Sequence, residues 1–101
     1  MGTFVKVAEL ADLPPGKAIS VESGGRSIAL YNVGGAVRAT AGGCPHRGGP
    51  LGEGDLDGGV ITCPWHSFQF EVGSGKCLTN QALSLACHAV RIDGQEILVE
   101  L

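Results

Sequence analysis

The sequence predicts an all-β protein, an antiparallel sandwich or barrel, and three observations carry that prediction. Apolar runs are short, turn residues interrupt them every six to twelve positions, and helix signals are scarce. Phe4 to Val7 is the first run, and Pro14-Pro15-Gly16 breaks the chain before Lys17 to Val21. Gly24-Gly25 makes a second break, then Ser27 to Asn32 and Ala36 to Thr40 flank Gly34-Gly35, a pair that suits a two-residue hairpin because glycine tolerates positive φ. Val60 to Thr62, Phe68 to Val72 and His88 to Ile92 follow as strands. Asp93-Gly94 is read as another hairpin turn, leading into Glu96 to Leu101, where Ile97, Val99 and Leu101 recur with the period of two that sends one face into a core.

Two segments break the strand rhythm and are expected to be loops. They span about 42–54, with Cys44, His46, Pro50 and several glycines, and 63–67, with Cys63, Pro64, Trp65 and His66.

At 101 residues the chain has room for a single domain, 1–101, and for no separate substrate domain. Gly plus Pro comes to 22 residues, below the fraction of roughly 25–30% that marks disorder, and 44% hydrophobic residues is ordinary for a folded protein. Seven basic against ten acidic side chains leave a net charge of −3, and with Lys and Arg scattered this excludes charge-driven binding of nucleic acid and favours protein partners. The longest stretch without a charge, Cys77 to Val90, is fourteen residues and too short for a membrane span of 18 or more apolar residues. Lys6, Glu9 and Asp12 interrupt any apolar leader, so a cytoplasmic location is expected.

The cysteines and histidines carry the chemistry. Cys44-Pro45-His46 is C-x-H; after a gap of sixteen residues, Arg47 to Thr62, Cys63-Pro64-Trp65-His66 is C-x-x-H. Two Cys and two His satisfy a closed tetrahedral zinc site, but zinc arms usually leave two to four residues between ligands, and Cys44 and His46 leave one. If each arm gives its Cys to one metal and its His to another, the two ligands need not converge. A [2Fe–2S] cluster with Cys44 and Cys63 on one iron and His46 and His66 on the other fits that division, with zinc as the alternative.

The segments Cys44-Pro45-His46-Arg47-Gly48-Gly49 and Cys63-Pro64-Trp65-His66 resemble the cluster-binding loops of Rieske-type proteins, and the resemblance covers most of the chain. It implies an all-β fold with two loops projecting from a small subdomain, one [2Fe–2S] cluster per chain, and Cys44, His46, Cys63 and His66 as its ligands. Respiratory relatives carry a disulfide between the loops, and the matching positions here are Gly49 and Trp65. The Ser and Tyr that donate to cluster sulfur in those relatives correspond to Phe68 and Phe70. Without such donors the reduced cluster is less stabilised, so the resemblance implies the lower part of a range of about −150 to +300 mV. Ser67 stands where Gly is usual, and Thr79-Asn80-Gln81-Ala82 replaces a Gly-Pro loop.

The pattern is similar to soluble Rieske-type ferredoxins that serve oxygenases. A cluster with four protein ligands has no open coordination position, so it passes an electron and binds no substrate. A Rieske oxygenase needs a further iron on two His and a carboxylate, and only His88 remains uncommitted. The expectation is therefore a carrier with no catalytic residues, not an enzyme, between an NAD(P)H-dependent flavoprotein ferredoxin reductase and a terminal, ring-hydroxylating type oxygenase or other redox enzyme. Its competitors are a small subunit of a larger enzyme such as assimilatory nitrite reductase, and a zinc-stapled interaction domain. Iron-bound imidazoles become more basic on reduction, so the midpoint potential is expected to stay level near neutral pH and drop in alkali. Cys77 and Cys87 are read as structural or idle thiols and His88 as a surface or packed residue. Arg47 is either a tuning charge or a solvated one, and Trp65 either packs over the cluster or anchors a partner.

Overall fold

The computed structural model describes residues 2–44, 49–65 and 67–101. Its strands, in chain order, are β1 (Phe4–Glu9), β2 (Ala18–Ser23), β3 (Arg26–Val33), β4 (Ala36–Ala41) and β5 (Asp55–Asp57). They continue with β6 (Val60–Thr62), β7 (Gln69–Glu71), β8 (Cys87–His88), β9 (Val90–Asp93) and β10 (Glu96–Glu100). Three antiparallel sheets result, with orders β1-β10-β9, β2-β3-β4-β8 and β5-β6-β7. Two single-turn 3-10 segments, Leu10–Asp12 and Leu51–Glu53, are the helical elements among the described residues. No helix there is long and apolar enough to cross a membrane.

β3 organises the molecule. Its run Ile28-Ala29-Leu30-Tyr31-Asn32 has no apolar–polar alternation, and all five residues are buried, as in a strand covered on both faces. Because side chains alternate, Ile28 and Leu30 enter one core and Ala29 and Tyr31 another. The first core lies between the four-stranded sheet and β1-β10-β9, with Leu13, Ala39, Ile97 and Val99. The second lies on the other side, under the small β5-β6-β7 sheet, and contains Leu51, Ile61, Phe70, Val72 and three cysteines, Cys44, Cys63 and Cys77. Asn32 is buried with its amide nitrogen donating to the Leu13 carbonyl at 2.8 Å and its amide oxygen accepting from the Gly35 N–H at 2.7 Å. It thereby ties the Pro14-Pro15-Gly16 corner to the β3-β4 turn.

That turn is the expected one: Val33 pairs with Ala36, and Gly34 and Gly35 take φ of 60° and 98°, the left-handed values that a primed hairpin turn requires. Other expectations need correction. The turn between β9 and β10 is Gly94-Gln95 rather than Asp93-Gly94, since Asp93 pairs with Glu96. His88 to Ile92 is two strands, because the chain changes sheets: His88 pairs with Ala39 of β4, the Ala89 carbonyl accepts from the Glu100 N–H, and Val90 pairs with Val99 of β10. β5 was not foreseen. Asp-Leu-Asp has poor strand propensity, and it is held by pairing with β6 across Gly58-Gly59. Phe68 and Val72 lie outside β7, which is shorter than the expected Phe68 to Val72 strand.

Candidate metal centre

Two loops of equal length approach each other at one end of the small sheet. Gly43 and Pro50 form an antiparallel bridge that brackets 44–49, and Thr62 and Gln69 pair to bracket 63–68. Each loop begins with a cysteine whose N–H donates to the carbonyl five residues on: Cys44 to Gly49 at 2.9 Å, and Cys63 to Phe68 at 2.7 Å. The first loop is also pinned at its base, where the Gly42 N–H donates to the Ser27 carbonyl and the Leu51 N–H to the Gly42 carbonyl. These closures anchor the cysteines to the sheets, and both side chains are buried, at 3% and 1% exposure.

The two thiols share one buried core, and the backbone N–H of Trp65 donates to Cys63 Sγ at 3.4 Å. Burial pushes the Cys63 thiol up, and the neighbouring Cys44 adds to it while the Trp65 N–H opposes it. A bare Cys63 thiolate is therefore unfavourable in this pocket, and a positively charged iron centre is what would hold it deprotonated. The loops also touch directly: a Cβ placed on Gly49 would stand 2.7 Å from Cys63 Sγ and 3.0 Å from Trp65 Cγ. A side chain at 49 would push into the Cys63 sulfur, so glycine is required there by contact rather than by φ. The same adjacency puts positions 49 and 65 side by side, as a loop-linking disulfide would need, and here the Trp65 side chain fills that space.

Among the described residues no group of three or more metal-ligating side chains comes together. Of the expected ligands, Cys44 and Cys63 are brought together; His46 and His66, like Arg47, lie outside the described residues. The donor set that is visible fits a thiolate-bound iron, with two buried sulfurs, one N–H aimed at sulfur, and backbone closures that hold both.

Ser67, which follows the second histidine, has φ +59° and is the only non-glycine among the described residues in the left-handed region. Phe70 is fully buried beneath the site and Phe68 packs against the same core, and neither aromatic ring offers a donor to the site. Cys77 is buried in that core with its sulfur 3.5 Å from Thr79 Oγ1, and Thr79 Oγ1 accepts from the Gln69 N–H at 3.3 Å. Cys87 is exposed, and all four cysteines are free thiols. His88 is half-buried, and burial followed by the nearby Arg26 holds its imidazole below the usual histidine range. Trp65 both packs and projects, one side against Gly49 and half its surface, 50%, exposed. The missed contributor is Gly49: its place in the sequence marked a lost cysteine, but only the contact with Cys63 Sγ reveals why it must be small.

Residues 3–96 match the Rieske [2Fe-2S] domain, and the chain belongs to that family. It carries one [2Fe–2S] cluster. The biphenyl dioxygenase ferredoxin subunit of Pseudomonas sp. strain KKS102 is 35% identical over 100 residues, covering 97% of this chain and 92% of the relative. In a solved complex of reduced oxygenase and oxidized ferredoxin from carbazole 1,9a-dioxygenase, the matching chain is 32% identical with a TM-score of 0.89, covering 99% of this chain and 94% of that one. The ferredoxin of carbazole 1,9a-dioxygenase from Nocardioides aromaticivorans IC177 is 31% identical with a TM-score of 0.88, covering 96% of each chain.

Proposed function

We propose that this protein is an electron-transfer ferredoxin that takes one electron from an NAD(P)H-dependent flavoprotein reductase and gives it to a terminal oxygenase of the ring-hydroxylating type, catalysing no reaction itself. The whole chain, 1–101, acts as one Rieske-type domain with its cluster-binding loops at about 42–54 and 63–67. Cys44 and Cys63 are the thiolate ligands of one iron; His46 and His66 are the imidazole ligands of the other. When bound, the cluster accepts and releases a single electron. The chain's own residues anchor it through the paired loop closures, keep water from the sulfurs by burying Cys44 and Cys63, and offer the Trp65 N–H to sulfur. Family membership leaves no place for the zinc-stapled alternative. The nitrite reductase alternative is the weaker one, because relatives above 30% identity over nearly the full chain are ferredoxins of dioxygenase systems. A cytoplasmic location belongs to this proposal, in keeping with a reductase that uses NAD(P)H.

The observation that carries the proposal is the buried Cys44 and Cys63 pair, each opening a loop closed in the same way. Iron and sulfide analysis with EPR of the reduced protein tests it. The expected result is two irons and two sulfides per chain and an average g below that of all-cysteine [2Fe–2S] clusters, lost in Cys44→Ser, Cys63→Ser, His46→Ala and His66→Ala. An all-cysteine average g, or histidine variants with unchanged spectra, overturns the ligand assignment.

A further inference from the structure

We infer that the loop end of the small subdomain docks an electron-transfer protein whose own surface is an apolar socket rimmed by lysine or arginine, with Trp65 as the anchor and the acidic outer face of β5-β6-β7 as the guide. The inference rests on the carrier reading above and names the chemistry of its partner.

The apolar part is localised. Trp65 and Leu78 are 50% and 48% exposed, and the remaining large exposed hydrophobic among the described residues, Ile92, is on β9 of the sandwich. Trp65 lies in the second loop, and the Leu78 N–H donates to the carbonyl of Gln69, the residue that pairs with Thr62 across that loop, at 2.8 Å. Both side chains are thus at the loop end. Trp65 is a supported anchor, since its inner side rests against Gly49, and its N–H on Cys63 Sγ leaves it one hydrogen bond from a thiolate ligand. A partner seated on Trp65 is therefore one hydrogen bond from Cys63, a cluster ligand in the reading above.

The charge is localised as well. Leu56, Ile61 and Phe70 point from the small sheet into the core, so alternation turns Asp55, Asp57, Val60, Thr62, Gln69 and Glu71 outward. The side-chain bond from Gln69 Nε2 to Thr62 Oγ1, 3.3 Å, marks that outer face. Asp55, Asp57 and Glu71 on it are exposed, as is Glu53 beside it. Between Arg47 and Lys76 the sequence has these four carboxylates and no Lys or Arg, while the rest of the chain balances seven basic against six acidic residues. The net charge of −3 is thus concentrated in the stretch that carries the small sheet. Among the described residues the ion pairs are those of Lys6 with Glu9 and Glu96, both on the sandwich, so no described ion pair involves the outer carboxylates; the one cation placed on this face is Lys76, across from Glu71, whose N–H donates to the Lys76 carbonyl at 2.8 Å. Like charge disfavours a second copy of this chain, nucleic acid or an anionic membrane on that face. A cation-rimmed protein is favoured, since complementary charge steers encounter and a buried aromatic anchor supplies the binding energy.

The test uses oxidised cytochrome c, whose exposed haem edge is ringed by lysines, as a surrogate acceptor for the reduced holoprotein in stopped flow at ionic strengths from about 0.01 to about 0.5 M. The parent's second-order rate is expected to fall at least about tenfold across that range. The Asp55→Lys/Asp57→Lys double variant loses about tenfold at low salt and most of the slope, whereas Glu22→Lys/Asp93→Lys, the same change in net charge on the sandwich, keeps the parental slope. Trp65→Ala lowers the rate about tenfold at every ionic strength; if that variant loses its cluster, Leu78→Ser replaces it and is expected to lower the rate severalfold. Equal losses in the two charge-reversed proteins, a salt-independent parental rate, or an unaffected anchor variant overturns the docking face while a normal visible and EPR spectrum keeps the carrier reading. A parent protein without that spectrum overturns the carrier reading itself.

Discussion

The two cores on either side of β3 are built from different materials. The sandwich core is aliphatic, with Leu13, Ile28, Leu30, Ile97 and Val99 all fully buried, and its sheets are joined by strands of four to eight residues apart from the two-residue β8. The subdomain core mixes three cysteines, Tyr31 and Phe70 with the aliphatic Leu51, Ile61, Val72 and Leu85, under a sheet whose strands are three residues each. Strands that short hold few ladder bonds, and a three-stranded sheet of that size is marginal without something to pack on. The sandwich is held by burial of hydrocarbon, whereas the short-stranded subdomain, on the ligand assignment proposed above, gains a cross-link between Cys44 and Cys63 when the cluster is bound.

Removing the cluster is the strongest way to break that comparison. In Cys63→Ser, hydrogen exchange at the amides of Ile61 and Phe70 is expected to accelerate by more than about 100-fold, while Ile28 and Leu30 in β3 keep most of their protection. Uniform loss across both cores would mean the two halves fold as one unit. Core truncations come next. Leu30→Ala and Ile61→Ala each cost about 2–5 kcal/mol in denaturant unfolding. Leu30→Ala is expected to leave the reduced cluster's spectrum unchanged, and Ile61→Ala to make cluster absorbance disappear at lower denaturant than the far-UV signal of the sandwich.

Alkaline pH probes the boundary between the cores. Tyr31 is buried, and burial pushes its phenol up to about 12, with Thr40 Oγ1 2.9 Å from the hydroxyl as its partner. The folded chain keeps this proton where the unfolded chain releases it near 10, so the stability it contributes is complete below pH 10 and is lost as pH climbs towards 12. A stability–pH curve measured across that window should fall steeply, and Tyr31→Phe should flatten it. The smallest effect is at Ser67. Its φ of +59° strains a residue with a Cβ, so Ser67→Gly is expected to raise stability by a few tenths to about 1 kcal/mol, read from the midpoint of thermal unfolding with the cluster intact. A loss of stability there would show that the serine hydroxyl is worth more than the strain it carries.

Much of the architecture could be read from the chain. The Gly34-Gly35 hairpin, the alternation at Ile97 and Val99, and the two loops that break the strand rhythm all follow from local chemistry. What escaped were features without a local signature. β5 is Asp-Leu-Asp and is a strand because β6 pairs with it; the split at Ala89 depends on two sheets competing for one segment. In the site, the residue types and spacing of Cys44 and Cys63 pointed to soft metal chemistry, but the matching carbonyl closures at Gly49 and Phe68 join residues that no pattern relates.

The sequence alone determined the residue chemistry: two sulfur-bearing arms, a period-two strand alphabet, and a run of carboxylates without a cation between Arg47 and Lys76. Tertiary structure decided which of these meet. Only packing brings Cys44 against Cys63, presses Gly49 onto the sulfur and Trp65, and turns Asp55, Asp57 and Glu71 to one face. The reason is that these contacts join residues far apart in sequence, so their geometry is set by how β3 divides the two cores rather than by any residue's own preference.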